Sequence, residues 1–337
     1  MKPHHILIVV FLLISATGCN AEKEVALSGR TMGTTYHIKV LMKSFDRVDT
    51  LQTEIDRCLE AINQSMSIYR KDSEISRFND LAPRQEIQIS TDFQDVLRTA
   101  RTLHNQTHGA WDGTVGPLVE LWGFGRQENS KRIPATEDIN RRLRQTGFQH
   151  VTLHPDRKIS KAISGIALNL GSIAKGYGVD QITRVIEKQG YRNFLVEIGG
   201  EVVASGRRAD GGKWRIGINR PEKGAPSTEI YKVVALENKA LATSGDYRNF
   251  FEQDGKIYSH VIDPRTGYPV ANQVVSVTII ADTCTYADGL ATAIMVMGAE
   301  KGLALINQLP NVEGLIITML DTGKLIDHYS TGFQTEP

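Results

Sequence analysis

Residues Ala167 to Asp180 read A-L-N-L-G-S-I-A-K-G-Y-G-V-D, and no other stretch limits the fold so strongly. The apolar run Gly165 to Leu170 predicts a strand, and Gly171-Ser172 predicts a tight turn after it. Ile173, Val179, Ile182, Val185 and Ile186 then recur at helical spacing up to Gln189 and Gly190, a C-cap signal. A helix launched from a strand through a small-residue turn leaves its first N–H groups unpaired, and such groups attract phosphate. Lys175, in the first turn, adds a mobile positive charge within reach of the same anion. Taken alone, the stretch is equally an ordinary strand-to-helix connection with an exposed lysine, since it matches neither a P-loop nor a dinucleotide fingerprint.

The 337 residues suffice for one large or two ordinary domains, and 41% hydrophobic with 23% charged residues is a globular composition. The net charge is +1, and removing residues 1–18 takes away only Lys2, which excludes the basic footprint of a nucleic-acid binder. Those 18 residues read as a targeting segment: Lys2 and two histidines precede Ile6 to Ile14, an apolar run too short to span a bilayer. Ser15-Ala16-Thr17-Gly18-Cys19 resembles a bacterial lipoprotein signal, with Ala16 where leucine is usual. A plain secretory signal is the alternative, and both place the mature protein outside the cytoplasm. A lipid on Cys19 would tether it to a membrane without a spanning helix. The remaining cysteines, Cys58 and Cys284, read as buried free thiols, and no Cys/His cluster has zinc spacing.

Residues 19–28 are expected to be a tether and residues 29–337 the folded unit. Thr35 to Met42 alternates like a strand, and Val48 to Met66 carries Leu51, Ile55, Leu59 and Ile62 at helical intervals. Ser90-Thr91-Asp92 caps a second helix with Phe93, Val96, Leu97, Ala100 and Leu103 on one face. A third helix fits Thr136 to Gly147. Strands are predicted at Val151–Leu153, Ile166–Leu170, Phe194–Ser205, Trp214–Asn219 and the β-branched Val274–Ile280. Helices at Thr285–Met297 and Glu300–Leu309 precede a hairpin of Leu315–Met319 and Leu325–Tyr329. The mixture predicts an α+β fold, one compact unit with two lobes.

Several loops and helix starts carry chemistry. Gly109-Ala110-Trp111-Asp112-Gly113 and Leu121-Trp122-Gly123-Phe124-Gly125 set large aromatics among glycines, which suits a flat heterocycle or a loop folded onto the core. His260, upstream of Ile262-Asp263-Pro264, is a candidate general base or a structural hydrogen bonder. In Tyr286-Ala287-Asp288-Gly289-Leu290-Ala291-Thr292-Ala293, Asp288 and Thr292 lie four apart and share a helix face. A carboxylate and a hydroxyl so placed can both meet a hard cation such as Mg²⁺, although a helix-start aspartate with a back-bonding threonine has the same spacing.

Together these segments stand in one order. T-M-G-T at Thr31 to Thr34 and M-S-I-Y-R-K-D-S-E-I-S-R-F-N at Met66 to Asn79 come first. A-W-D-G-T-V-G-P-L-V at Ala110 to Val119 and L-W-G-F-G at Leu121 to Gly125 follow. N-L-G-S-I-A-K-G-Y, A-T-S-G-D-Y, H-V-I-D-P-R-T-G and A-D-G-L-A-T-A complete a pattern that resembles the ApbE family of flavin transferases from about Gly29 onward.

The resemblance implies an FAD cleft between the two lobes. It implies that Met32, Tyr69, Ala110, Trp111, Asp112, Asn169, Lys175 and Ile262 contact FAD, and that Mg²⁺ is held by Ser172 through its backbone oxygen, Asp288 and Thr292. It implies transfer of FMN from FAD to a threonine of an acceptor protein, with AMP released. The expected acceptors are flavin-carrying subunits of membrane electron-transport complexes, served from the periplasmic side of the inner membrane. His260 is the candidate base for the incoming hydroxyl, with Asp263 its candidate partner. Asn169 stands where the family usually has Asp, and Trp111 where Phe is commoner. An FAD pyrophosphatase and a non-catalytic FAD-binding lipoprotein are the alternative readings.

Overall fold

The computed structural model describes residues 22–125, 132–226, 228–247 and 249–336, so the signal segment and Cys19 lie outside the described residues. The chain opens with a hairpin, β1 (Lys23–Thr31) and β2 (Thr34–Met42), turning through Met32 and Gly33, both at positive φ. The expected tether is therefore corrected: from Lys23 onward it pairs with β2 over its whole length. Only Leu27 and Thr31 of β1 are buried, so this edge strand carries little apolar signal.

Helix α1 (Val48–Met66) buries the predicted leucine and isoleucine stripe. Then come α2 (Glu74–Asp80), β3 (Glu86–Gln88) and α3 (Thr91–Gln106), the last capped by Ser90 Oγ accepting from the Phe93 N–H. Short helices α4 (Gly116–Leu121) and α5 (Thr136–Leu143) precede β4 (Val151–Leu153) and β5 (Lys158–Lys161), which join β3 in a three-stranded sheet. Helix α6 (Ala174–Lys188) follows the Gly171-Ser172 turn, as the sequence predicts.

The second half supplies most of the main sheet: β6 (Phe194–Ile198), β7 (Glu201–Ser205), the β8 (Trp214–Asn219) and β9 (Ile230–Leu236) ribbon, and β10 (Lys239–Gly245). A small hairpin, β11 (Phe250–Gln253) and β12 (Lys256–Ser259), leads to β13 (Val274–Ala281). Helices α7 (Cys284–Met297) and α8 (Ala299–Ile306) and strands β14 (Glu313–Met319) and β15 (Leu325–Tyr329) end the fold.

Eight strands form one antiparallel sheet in the order β1-β2-β6-β7-β10-β13-β14-β15. Helices segregated against an antiparallel sheet make this the expected α+β class. Alternation decides which face each residue serves. On β10, Ala240 and Ala242 pack into the helix-side cores, whereas Leu241 joins Trp214, Ile218, Val234 and Leu236 of the β8–β9 ribbon on the opposite face. Helix α7 packs on β10 and β13, and α6 packs on β6, β7 and α7.

Two strand expectations change. Phe194–Ser205 is a hairpin broken at Gly199-Gly200, both at positive φ. Ile166–Leu170 joins no sheet. Its backbone is satisfied by side chains instead: Asn79 Oδ1 accepts from the Leu168 N–H at 2.7 Å, Asn79 Nδ2 donates to the Leu168 carbonyl at 3.0 Å, and the buried Lys161 ammonium donates to the Ile166 carbonyl at 3.0 Å.

Candidate active site

The site forms where the first turns of α6 and α7 meet. Asp180 sets the approach, because its carboxylate accepts the first free N–H groups of α7, from Cys284 and Thr285 at 2.8 Å each, and the Thr285 hydroxyl. One turn further along α7, Asp288 is 3% exposed and its Oδ2 accepts from the Gly176 N–H at 3.0 Å. No side chain larger than hydrogen fits at Gly176: a Cβ there would stand 2.4 Å from the Cys284 carbonyl oxygen. In a longer helix the Gly176 N–H would close on the Ser172 carbonyl. Here it goes to Asp288, and the Ser172 carbonyl accepts no hydrogen bond among the described residues.

Four further sequence-derived residues join this centre. The Trp111 indole N–H donates to Ser172 Oγ at 3.1 Å, and a Cβ on Gly289 would stand 3.5 Å from that same nitrogen. The Trp111 ring thus ties the Ser172 turn to α7. Thr292, one turn beyond Asp288, shares a hydrogen bond of 3.1 Å with Ser244 Oγ of β10. Met32 leans on α6, its Cε 3.0 Å from where a Cβ of Gly178 would be. Lys175 lies between carboxylates: its ammonium is 2.6 Å from Glu201 Oε1, and Asp288 is a second source of negative charge. Burial opposes the charge on Lys175, but Asp288 and Glu201 outweigh it and hold the ammonium well above its ordinary range. Burial in turn pushes the Asp288 and Glu201 carboxyls up, with Lys175 opposing.

The remaining candidates sit differently. Asn169 closes its own turn, Oδ1 accepting from the Gly171 N–H at 3.0 Å, a task an aspartate oxygen performs equally. Ala110 is buried in the core beside Trp111. The Asp112 carboxylate is taken up internally by the N–H groups of Thr114 and Phe148, the Thr114 hydroxyl and His104, so it braces the loop. Tyr69 is 73% exposed. Ile262 is buried with Leu118, Trp122 and Ile139 under an aromatic cluster in which Phe251 stacks on Tyr258 at 5.0 Å.

His260 lies at the rim of that cluster, edge-on to Phe124 at 6.3 Å. Its Nδ1 is 2.9 Å from the Asn249 carbonyl, which can only accept, so Nδ1 carries the proton and the neutral ring keeps its lone pair on Nε2. The expected Asp263 partnership is corrected: both Asp263 oxygens pair with Arg265, at 2.9 and 2.8 Å, because a carboxylate two residues before an arginine in a tight turn meets the guanidinium fork first.

The donor set fits a hard cation. Among the described residues no three His, Cys, Asp or Glu side chains converge as a metal cluster, so an ion here would rest on the Asp288 carboxylate, the Thr292 hydroxyl, the open Ser172 carbonyl and ligand oxygens. All are oxygen donors, as Mg²⁺ prefers.

The sequence model of the ApbE family matches residues 32–316. This chain belongs to the ApbE family. An FAD:protein FMN transferase of Vibrio cholerae is 46% identical over 94% of this chain and 94% of its own length, and one of Haemophilus influenzae is 40% identical over 94% and 93%. The solved flavin transferase ApbE from Vibrio cholerae superposes with a TM-score of 0.84 at 44% identity, covering 93% of this chain and 98% of that one. These ApbE relatives are similar in sequence and fold over nearly their whole length.

In this ApbE chain the sequence reading passes over Asp180, Glu201 and Asp246. Asp246 follows the end of β10 directly, two residues after the Ser244 that meets Thr292. Burial pushes its carboxyl up to about 6, eased only by its own backbone N–H. The folded value lies above the ordinary unfolded value of about 3.9, so the folded state holds the proton over that window. Stability is therefore expected to fall as pH rises from about 4 to about 6, by up to about 3 kcal/mol from this group. Asp246→Asn should flatten that part of the profile in urea unfolding at a series of pH values, and an unchanged slope would contradict it.

Proposed function

We propose that this ApbE-family chain is a Mg²⁺-dependent FAD:protein FMN transferase that joins FMN through a phosphoester bond to a threonine of an acceptor protein and releases AMP. The observation that carries the reading is the junction of α6 and α7, where a buried carboxylate, a half-buried ammonium and a carbonyl that accepts no hydrogen bond among the described residues meet at a helix N-terminus. That arrangement suits a diphosphate with a divalent ion, and the names of the similar proteins supply FAD as substrate and a protein as acceptor.

Lys175 and the first N–H groups of α6 would hold the diphosphate. Asp288, Thr292 and the Ser172 carbonyl would hold Mg²⁺, which when bound offsets negative charge on the phosphate oxygens. Met32 would lie against the flavin nucleotide, and the buried Trp111 would brace the Ser172 turn from behind. Nε2 of His260 takes the proton from the acceptor threonine hydroxyl as its Oγ bonds to the phosphorus of the FMN half. The bond from that phosphorus to the bridging oxygen breaks, and AMP leaves with the oxygen. Water in place of the threonine would give FMN and AMP instead.

Among the described residues no helix is long and apolar enough to cross a membrane. A lipid on Cys19 would keep the enzyme on the periplasmic side of the inner membrane, beside flavin-carrying subunits of electron-transport complexes. Mass spectrometry of such a subunit after incubation with FAD and Mg²⁺ tests the reading. An FMN-sized gain on a threonine is expected, AMP release without that gain indicates hydrolysis, and tight FAD binding with no AMP indicates a carrier. His260→Ala should lower transfer about 10²- to 10⁴-fold while FAD binding persists; undiminished transfer would remove His260 as the base.

A further inference from the structure

Glu201 is a buried carboxyl group that the proposed chemistry leaves unused. It opens β7 directly after the Gly199-Gly200 turn and is 2% exposed. Its Oε1 holds the Lys175 ammonium at 2.6 Å, while its Oε2 is buried without a hydrogen-bond partner among the described residues. Buried carboxylate oxygens are nearly always satisfied, so an orphan beside a binding ammonium marks a place completed by something else. Two motifs meet beside that lysine: a Cβ on Gly199 would stand 2.9 Å from Thr34 Cγ2 of the T-M-G-T turn and 3.4 Å from Lys175 Cδ. A lysine has four rotatable bonds, and only a fixed partner restricts where its charge points.

We propose that Glu201 is a positioning residue of the transfer reaction, directing the Lys175 ammonium at the diphosphate through Oε1 and presenting Oε2 to a hydrogen-bond donor that arrives with the ligand. The proposal rests on the transferase reading and deepens it. Positioning acts on the reacting geometry more than on ground-state binding, so it separates rate from affinity.

The test measures AMP release with FAD, Mg²⁺ and acceptor, and FAD affinity by flavin fluorescence in EDTA. The proteins compared are the parent, Glu201→Gln, Glu201→Leu, Lys175→Met and the Lys175→Met/Glu201→Leu double variant. Glu201→Leu should lower kcat by about 10- to 100-fold, with FAD affinity within about threefold of the parent. The double variant should be no slower than Lys175→Met alone, because Glu201 acts through that lysine. Glu201→Gln matches the parent in shape and carries the test should the leucine variant not fold, with a kcat loss of about fivefold or more. Rates within twofold of the parent in both Glu201 variants overturn the proposal, as does full additivity in the double variant. A parent enzyme that releases AMP without labelling the acceptor refutes transfer alone, since the Glu201 comparison is still read from AMP.

Discussion

Asp288→Asn is expected to lower FMN transfer by about 10³-fold or more while leaving the melting temperature nearly unchanged. The amide keeps an oxygen for the Gly176 N–H, so the contact between α6 and α7 survives. What disappears is the one negative charge that this face of α7 offers a cation, together with one of the two carboxylates that hold Lys175 charged. Asp288→Ala should abolish transfer as well, and it also strands a buried N–H group, at a cost of about 1–3 kcal/mol. Transfer and stability measured side by side separate the two effects. Asparagine and alanine should match in lost activity and differ in unfolding midpoint. An asparagine variant with parental activity would remove Asp288 from the metal site.

Gly176→Ala carries the second large effect, in this case on the fold. The new methyl group would lie 2.4 Å from the Cys284 carbonyl oxygen and 2.9 Å from Asp288 Cβ, and both neighbours belong to a fixed helix. The two helices must part, at about 3 kcal/mol, which for a chain of this size lowers Tm by roughly 4 °C. Activity should fall with it even at temperatures where the variant is folded, because separating α6 from α7 moves Lys175 and Ser172 away from Asp288. Calorimetry and transfer assays at 25 °C check both halves. A variant of unchanged Tm would mean the helices do not approach this closely.

How far the sequence reached depended on whether a signal was local. Helix α1 and helix α3 were legible because an apolar stripe and the Ser90 cap lie within each segment. Strand β10 was not, since A-L-A-T-S-G carries few large apolar residues; β7 and β13 on either side make it a strand. The Ile166–Leu170 run looks like a strand by composition, yet side chains satisfy its backbone, Asn79 from a distant part of the chain and Lys161 from just upstream.

The same division holds at the site. Asp288 and Thr292 are related by helical spacing and could be paired on paper. Glu201 could not be paired with Lys175, nor Asp180 with the start of α7, because those contacts are made by packing. One clue to Glu201 was present: an acid follows I-G-G and directly precedes the apolar V-V-A run. Asp263 misled for the opposite reason, since Arg265 lay closer in the turn than His260.

The proposed transfer requires a divalent ion that joins α7 to the diphosphate held at the start of α6. Crystals of the enzyme grown with FAD and Mn²⁺ in place of Mg²⁺ test it most directly, because manganese can be located by its anomalous scattering. One strong peak is expected among Asp288, Thr292 and the Ser172 carbonyl, in contact with the FAD phosphates. A bound FAD whose diphosphate lies away from the Ser172 turn, or a manganese peak remote from Asp288, would contradict it.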